Sequence, residues 1–264
     1  GGRRPAPATS REGGIRWDRA GSSAAPAIAG TVEDPGGMAD SAIIDRRNAI
    51  VIALAHAGMA LADGDDAGLD AGLNLALVGS ELVQFAEAEP LGGNRWGLSG
   101  LWRGRRGTEA AIGLAVAGDR FVLIDPAALA VRDGIAGIGA DVAILGTAPA
   151  DGDGVEAATQ LTGASVLPPV PVHLRAETAL GGGILLRWTR RSRAGWRWQD
   201  GVEVPLGEET EQYRVRIVPG AGEELAETVA VAELVLPAGL AGPVLIEVRQ
   251  IGDHGLSPPV FLTI

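Results

Sequence analysis

The chain has 264 residues, enough for one large domain or two ordinary ones, and its hydrophobic fraction of 46% excludes global disorder. A formal net charge of −11 disfavours nucleic acid or an anionic membrane as the main partner, because like charges repel. Cysteine is absent, which excludes disulfides, thiolate metal sites and cysteine nucleophiles. The 40 glycines and 16 prolines, with only 4% aromatic residues, indicate many turns and short strands.

Residues 1–14 are rich in Pro, Gly, Ser and Arg, and we expect them to form a flexible arm. They contain Arg but no apolar stretch behind it, so they do not have the pattern of a secretory signal. No window of the chain approaches the roughly 18 apolar residues that a membrane-spanning helix needs. Because the sequence starts without Met, we expect a fragment of a longer protein, or a processed or engineered chain.

Residues 15–166 contain short apolar runs separated by Gly- and Asp-rich turns, a spacing that favours strands over helices. The clearest hairpin pairs Leu82–Glu89 with Arg95–Trp102 across the sequence PLGGN, and one helical turn is expected after Thr108 as its N-cap. The hairpin residues predicted to face inward are Val83, Phe85, Ala88, Trp96, Leu98 and Leu101. The strands predicted in this region are Ile50–Leu54, Leu75–Gly79, Glu81–Pro90, Arg95–Trp102, Arg120–Asp125 and Asp141–Gly146.

A proline cluster at Val166–Leu174 predicts a stiff joint between domains, because consecutive prolines hold the chain extended. In the following residues 167–264 the alternation is cleaner: Leu186 and Trp188 are predicted to face inward and Arg187 outward. The sequence YRVRI repeats this pattern, with Tyr213, Val215 and Ile217 inward. The strands predicted here are Pro169–Ala176, Gly183–Thr189, Gln212–Val218, Val244–Ile251 and Pro258–Ile264.

These residues resemble the fibronectin type III fold: a proline-led first strand with Leu174, Trp188 in the second strand, Tyr213 in the third, and VRQIGDHGLSPP before the last. One departure is the long stretch Arg190–Glu211, where a short loop is usual. The predicted fold class is therefore mainly β, an irregular β-rich domain at 15–166 followed by a fibronectin type III-like β-sandwich at 167–264. The residues expected in the cores are Trp188, Tyr213, Phe85 and Trp96.

Three stretches, Leu77–Glu109, Arg187–Ile217 and Ile246–Pro258, together resemble the gene-transfer-agent host-specificity protein, a baseplate hub related to phage tail-tip proteins. The resemblance is good from about Leu69 onward and loose over Ile15–Leu54. That family's polypeptide is several times longer, so activities of its upstream domains are not carried over. The resemblance implies a phage-like tail component that is assembled in the bacterial cytoplasm, binds other tail and baseplate proteins, and forms a trimer around the tail axis.

Few residues suited to catalysis or metal binding are spaced as they are in catalytic or metal-binding motifs. His56, His173 and His254 lie far apart, and we interpret them as ordinary strand or loop residues. Asp63 and Asp65 occupy positions one and three of a calcium-loop template, but position twelve lacks a carboxylate, which favours a solvated turn.

Three glutamates could suggest the paired carboxylates of a glycosidase, but Glu81, Glu87 and Glu89 are predicted to share the solvent face of one strand. We therefore predict no enzymatic activity and no cofactor.

Two segments are candidates for interaction. In RGRRGTE, the guanidinium groups of Arg103, Arg105 and Arg106 either contact a carboxylate surface or glycan, or hold a tight turn by binding carboxylates such as Glu109 and backbone carbonyls. In the long inserted stretch, Trp196 and Trp198 face one side and Arg197 the other. That Trp pair either anchors a protein or sugar surface or is buried.

The preferred function is a structural component of a phage-like tail tip or baseplate hub, acting by protein–protein contacts, with recognition of a host-surface polysaccharide or protein as a further role. The alternative is a carbohydrate- or cell-surface-binding β-sandwich module that uses Trp196 and Trp198. A cell-wall glycosidase has the least support. Neither nucleic acid nor membrane insertion is expected.

Overall fold

The computed structural model describes residues 6–10, 17–19, 25–131, 137–147, 154–179, 182–194, 204–237 and 239–264. Backbone contacts divide the chain into two compact units, Gly1–Gly163 and Ala164–Ile264. Strands dominate both units, which confirms the prediction of a mainly β protein. Among the described residues no helix is long and apolar enough to cross a membrane.

The described residues of the first unit form ten strands, one short helix and three single 3-10 turns at Arg105–Gly107, Glu109–Ala111 and Pro126–Ala128. In chain order its elements are β1 (Ala6–Ser10), β2 (Asp18–Arg19), β3 (Ala29–Asp34), β4 (Ile50–Leu54), α1 (Asp66–Asp70), β5 (Leu75–Val78), β6 (Glu81–Gly92), β7 (Arg95–Trp102), β8 (Arg120–Leu123), β9 (Asp141–Thr147) and β10 (Val155–Gln160).

Six strands of the first unit close into an antiparallel barrel in the order β3-β4-β7-β6-β5-β8, with β8 pairing back onto β3. Closure removes the exposed edges that an open sheet would present. Apolar side chains from all six strands fill the interior. The fully buried ones include Ile50, Ile52, Ala76, Phe85, Leu101 and Phe121. The domain expected to be irregular therefore has a regular barrel at its centre.

The predicted hairpin forms as β6 and β7, and Val83, Phe85, Ala88, Leu98 and Leu101 are buried, whereas Trp96 is partly buried against the core. Its side-chain alternation changes phase in the middle. Phe85 faces Leu101 and Glu87 faces Ser99, but between them Gly100 adopts a left-handed φ of 62°. The phase change lets Phe85 and Ala88, three positions apart, both point inward.

The other strands of this unit form a separate four-stranded sheet in the order β10-β9-β1-β2. The expected flexible arm at residues 1–14 is therefore wrong for Ala6–Ser10, which pairs along its length with β9. Its small residues and Pro7 are typical of a linker, but pairing with β9 outweighs that local preference. Pro7 lies outside the two-residue pairing with β2, so its missing N–H does not interrupt that ladder.

The second unit is a two-layer sandwich. Its strands are β11 (Val172–Thr178), β12 (Ile184–Thr189), β13 (Gln212–Ala221), β14 (Leu225–Val229), β15 (Glu233–Val235), β16 (Ala241–Gly252), β17 (Gly255–Leu256) and β18 (Val260–Thr263). One sheet has the order β11-β12-β15, and the other has the order β14-β13-β16, with both β17 and β18 paired to β16. This arrangement of three strands against a larger sheet is that of a fibronectin type III-like sandwich.

The core of the sandwich lies between these sheets. Leu186, Tyr213, Val215 and Ile217 are fully buried, and Trp188 is 5% exposed. The rings of Trp188 and Tyr213 meet edge to face with centroids 5.2 Å apart, which joins β12 of one sheet to β13 of the other. Burial, with the negative charge of Glu211 beside it, raises the pKa of the Tyr213 hydroxyl, which donates a hydrogen bond to Glu211.

The close approach of β3 and β4 gives a test of the barrel. A Cβ added at Gly30 would collide with the carbonyl oxygen of Ala53, whereas one added at Gly97 would meet only the Leu91 side chain at 3.6 Å. We expect Gly30→Ala to lower the free energy of unfolding by about 1–3 kcal/mol or more, because backbone must move. The matched variant Gly97→Ala should stay within about 0.5 kcal/mol. Urea unfolding followed by circular dichroism measures both, and equal losses would contradict the proposed strand contact.

Candidate functional site

Arg103 and Glu81 form a buried ion pair at one end of the barrel, where β6 begins and β7 has just ended. The Arg103 Nε and Nη2 atoms donate to the two carboxylate oxygens of Glu81, both at 2.8 Å. Each side chain is 1% exposed. Nη1 donates to the Gly37 carbonyl at 3.0 Å, and the backbone N–H of Gly104 donates to Glu81 Oε1 at 2.9 Å. The buried charges are thus both paired and hydrogen-bonded.

Asp45 extends this cluster into the connection between β3 and β4. Its backbone exchanges two hydrogen bonds with Leu101, at 2.8 and 2.9 Å, and its carboxylate lies 3.6 Å from Arg103 Nη1. Burial opposes ionisation of Asp45, but hydrogen bonds from Asn48 and the Arg47 backbone, with the charge of Arg103, hold its pKa below the usual value. Asp45 therefore fastens the connection to the barrel as an anion.

Two expectations need correction here. Glu81 is not on the solvent face, because it keeps the inward phase of Val83 and Phe85, while the phase change beside Gly100 turns Glu87 and Glu89 outward. Of the two alternatives for Arg103, contact with an outside partner is wrong and the structural one holds, since its donors bind a carboxylate and a backbone carbonyl inside the unit. The carboxylate that it binds is Glu81 rather than Glu109.

Arg105 and Arg106 occupy the tight turn that follows. The Arg105 Nε donates to the buried Gln84 at 2.7 Å, and its guanidinium lies over the Trp102 ring, 5.2 Å from the centroid. Arg106 is exposed and has a left-handed φ of 56°. The helical turn expected after Thr108 forms as Glu109–Ala111 with Thr108 at its N-cap position, but the hydroxyl makes no cap hydrogen bond. It accepts from the Leu82 N–H and donates to the Arg105 carbonyl instead. Arg106 is thus the most accessible of the three arginines.

The aspartates considered for calcium have structural partners. Asp65 caps α1 by accepting from the Gly68 N–H at 2.8 Å, and Asp63 accepts from the Ala88 N–H at 2.9 Å. The stretch is therefore a capped helical turn with Asp63 and Asp65 exposed, in line with the expected solvated turn. Within the described ranges, no group of three or more His, Asp or Glu side chains could hold a metal ion.

The candidates Trp196, Arg197 and Trp198 lie outside the described residues. Their assignment as an interaction surface stays a prediction. The residues on either side are ordered by ion pairs, as in the 2.8 Å contact of Arg193 with Glu208.

A polar depression of about 540 Å³ on the first unit was not anticipated from the sequence. Its lining combines carboxylate, guanidinium and hydroxyl groups with two glycines that adopt left-handed φ angles. Asp119 uses one oxygen to accept from the Val116 N–H at 2.9 Å, which closes a tight turn at the rim. Such a lining can exchange hydrogen bonds with hydroxyl groups of a ligand. The lining residues are Thr31, Gly79, Ser80, Gly118, Asp119 and Arg120.

No signal in the sequence marked this depression, because Ser80 and Asp119 belong to separate turns that only barrel closure brings together. Thr31 and Arg120 become direct neighbours through the β3–β8 pairing, and β3 itself was not predicted.

A family model described as "Rcc01698-like, C-terminal" matches residues 27–122. The match therefore covers the six barrel strands from β3 to β8, except for the last residue of β8. It includes Leu77–Glu109, the first of the three stretches quoted above for the resemblance to the host-specificity protein. The other two stretches lie outside the matched range.

No curated protein sequence matches the chain. Among solved structures, a fibronectin type III domain of human collagen XX is 19% identical, with 36% of this chain and 91% of that one covered at a TM-score of 0.25. A two-domain fibronectin type III segment of chicken tenascin is 12% identical, with 89% and 98% covered at a TM-score of 0.29. The strand order of the second unit, rather than these low scores, shows the sandwich.

The buried ion pair predicts a large effect of one substitution. Arg103→Met leaves the Glu81 carboxylate buried without its partner, and we expect a loss of about 3–5 kcal/mol in the free energy of unfolding. The control Arg95→Met breaks a 2.6 Å pair with Glu33 in which both side chains are exposed, and should cost about 1 kcal/mol or less. Urea denaturation measures the free energy of unfolding of both variants. Comparable losses of stability would show that the buried pair does not hold the barrel together.

Proposed function

We propose that this chain is a structural component of a phage-like tail tip or baseplate hub of gene-transfer-agent type, and that it acts by protein–protein contacts. The observation that carries the proposal is the family match over the barrel, which coincides with the stretch that resembles the host-specificity protein. Partners would be other tail and baseplate proteins, and the location would be the tail of a particle assembled in the bacterial cytoplasm. A trimer around the tail axis belongs to the same proposal.

The architecture supports a role in contacts. Apolar side chains fill the barrel interior. The Glu81 carboxylate, which points into one end of the barrel, is paired with Arg103. Glu87 and Glu89 are exposed on the outer wall, where a glycosidase would need carboxylates flanking a cleft. We propose on these grounds that the chain is not an enzyme.

Particle association tests the proposal directly. An epitope-tagged copy of the full gene product, expressed in the bacterium that encodes it, should sediment with nuclease-resistant particles and stay with them through density-gradient purification. In a strain without the major capsid gene, the same tag should leave the particle fractions. A tag that stays in the soluble fraction of a particle-producing lysate would sink the proposal.

The polar depression favours a second candidate, a carbohydrate- or cell-surface-binding module. Neutral sugars present hydroxyl groups that both donate and accept, and Asp119, Arg120 and Ser80 offer both kinds of partner in one place. In this second candidate function the binding site lies on the barrel, and not in the stretch with Trp196 and Trp198.

A glycan array distinguishes the two locations. If the depression binds sugar, the double variant Asp119→Asn with Arg120→Met should lose about tenfold or more in affinity, since a buried polar contact is worth about 1–3 kcal/mol. The double variant Trp196→Ala with Trp198→Ala should then bind as the parent does. The reverse pattern places the site in the inserted stretch, and an array without any signal for the parent rejects the second candidate.

A further inference from the structure

The outer face of the larger sheet of the sandwich carries an unusual surface. Because side chains alternate along a strand, the residues next to the buried Tyr213, Val215 and Ile217 point away from the core. The strand pairing aligns them in rows across β14, β13, β16 and β18. One row joins Phe261, Glu247, Arg216 and Ala226; the next joins Arg249, Arg214 and Thr228.

Two large apolar side chains are exposed on this face. Phe261 is 54% exposed, whereas the other phenylalanines of the chain, Phe85 and Phe121, are fully buried. Leu245, 39% exposed, lies one row away on β16 and faces Val218 and Thr263. Aromatic and aliphatic side chains of this kind are typical anchors of protein interfaces.

The charged side chains beside them are unequally paired. Glu247 accepts from both Arg216 and Arg249, and Glu224 binds Arg216 through two hydrogen bonds of 2.7 and 2.9 Å. Arg249 has one carboxylate partner, Glu247, and its Nη1 also donates to the Ser257 carbonyl at 3.2 Å. These hydrogen bonds hold the pKa values of Glu247 and Glu224 below their usual range, so both are anions.

Arg214 differs from Arg216 and Arg249, which are paired with glutamates. It lies directly opposite Arg249 in the β13–β16 pairing, and among the described residues no carboxylate comes within 4 Å of it in an ion pair. Like charges that face each other across a sheet destabilise it. In a chain of net charge −11, three arginines against two glutamates make this face locally cationic.

We propose that this face, defined by Arg214, Arg216, Arg249, Leu245 and Phe261, docks an acidic segment of a partner protein that also carries an apolar side chain. A partner carboxylate between Arg214 and Arg249 would form bidentate hydrogen bonds and remove the repulsion between them. The apolar side chain would cover Phe261 and Leu245. The proposal names the surface for the protein contacts proposed above and rests on that mode of action.

A protein segment fits better than other anions. A polyanion such as nucleic acid or a sulfated glycan offers charge but nothing to cover a half-exposed phenylalanine. The net charge of the chain also repels an extended polyanion. A short peptide satisfies both parts of the surface with little added charge.

Binding of defined peptides to the isolated full chain tests this. The probe is an array of eight-residue peptides rich in Asp and Glu with Leu or Phe at alternate positions, with Lys-for-Glu and Ser-for-Leu versions as controls. We expect binding to the acidic apolar peptides alone, and weaker binding as salt concentration rises. Arg214→Glu and Phe261→Ser should each weaken binding by about tenfold or more.

Matched controls separate this surface from general charge and apolarity. Arg46→Glu makes the same charge change at an exposed site of the first unit, and Val231→Ser removes a 56% exposed apolar side chain of the second unit. Both should bind as the parent does. Equal binding of heparin or polyglutamate, an equal loss in the control variants, or self-association of the chain that Arg214→Glu abolishes would each overturn the proposal. Because the assay needs no tail particle, its failure is distinguishable from failure of the tail-tip proposal.

Discussion

The first unit depends on the burial of a single guanidinium group. Taking Arg103 out of water is costly, and the chain compensates by surrounding it with Glu81, the Gly37 carbonyl and, at 3.6 Å, Asp45. These partners come from β6 and from the connection between β3 and β4, so the pair is satisfied only when the barrel has closed in the correct register. A buried ion pair of this kind adds less to stability than its Coulomb attraction suggests. Its main effect is to penalise every arrangement that leaves one charge unpaired.

This ion pair matters for function because the side chains inside the barrel are used to stabilise the fold. The interior is filled by apolar side chains, and the buried Glu81 carboxylate is paired with Arg103. The described outer surface includes the polar depression between β3 and β8, the exposed turn at Arg106, and the outer face of the larger sheet of the sandwich. The family model matches the barrel and leaves the sandwich unmatched.

Sequence reasoning succeeded where large apolar residues alternate with charged ones, as at Leu186, Trp188 and Tyr213, since burial on one face then dictates the strand and its orientation. It missed β3, β10 and β14, whose sequences AGTVED, VEAATQ and LAETV contain few large apolar residues and are ordered by their neighbours. It also misplaced Glu81 by putting it in phase with Glu87 and Glu89, because the sequence does not show the phase change beside the left-handed Gly100 of the opposite strand, which separates them. The polar depression was out of reach for a related reason: its residues meet only through barrel closure.

The two units place their arginines under opposite constraints. Arg103 cannot change without leaving a buried carboxylate unpaired, so its identity is set by the fold. Arg214 and Phe261 point away from the sandwich core, and the same alternation that buries Tyr213 and Val215 leaves them free of packing requirements. At the proposed docking face, partner preference can therefore change while the core stays the same. A docking surface that the fold does not need is the kind of surface on which specificity for different partners can be built.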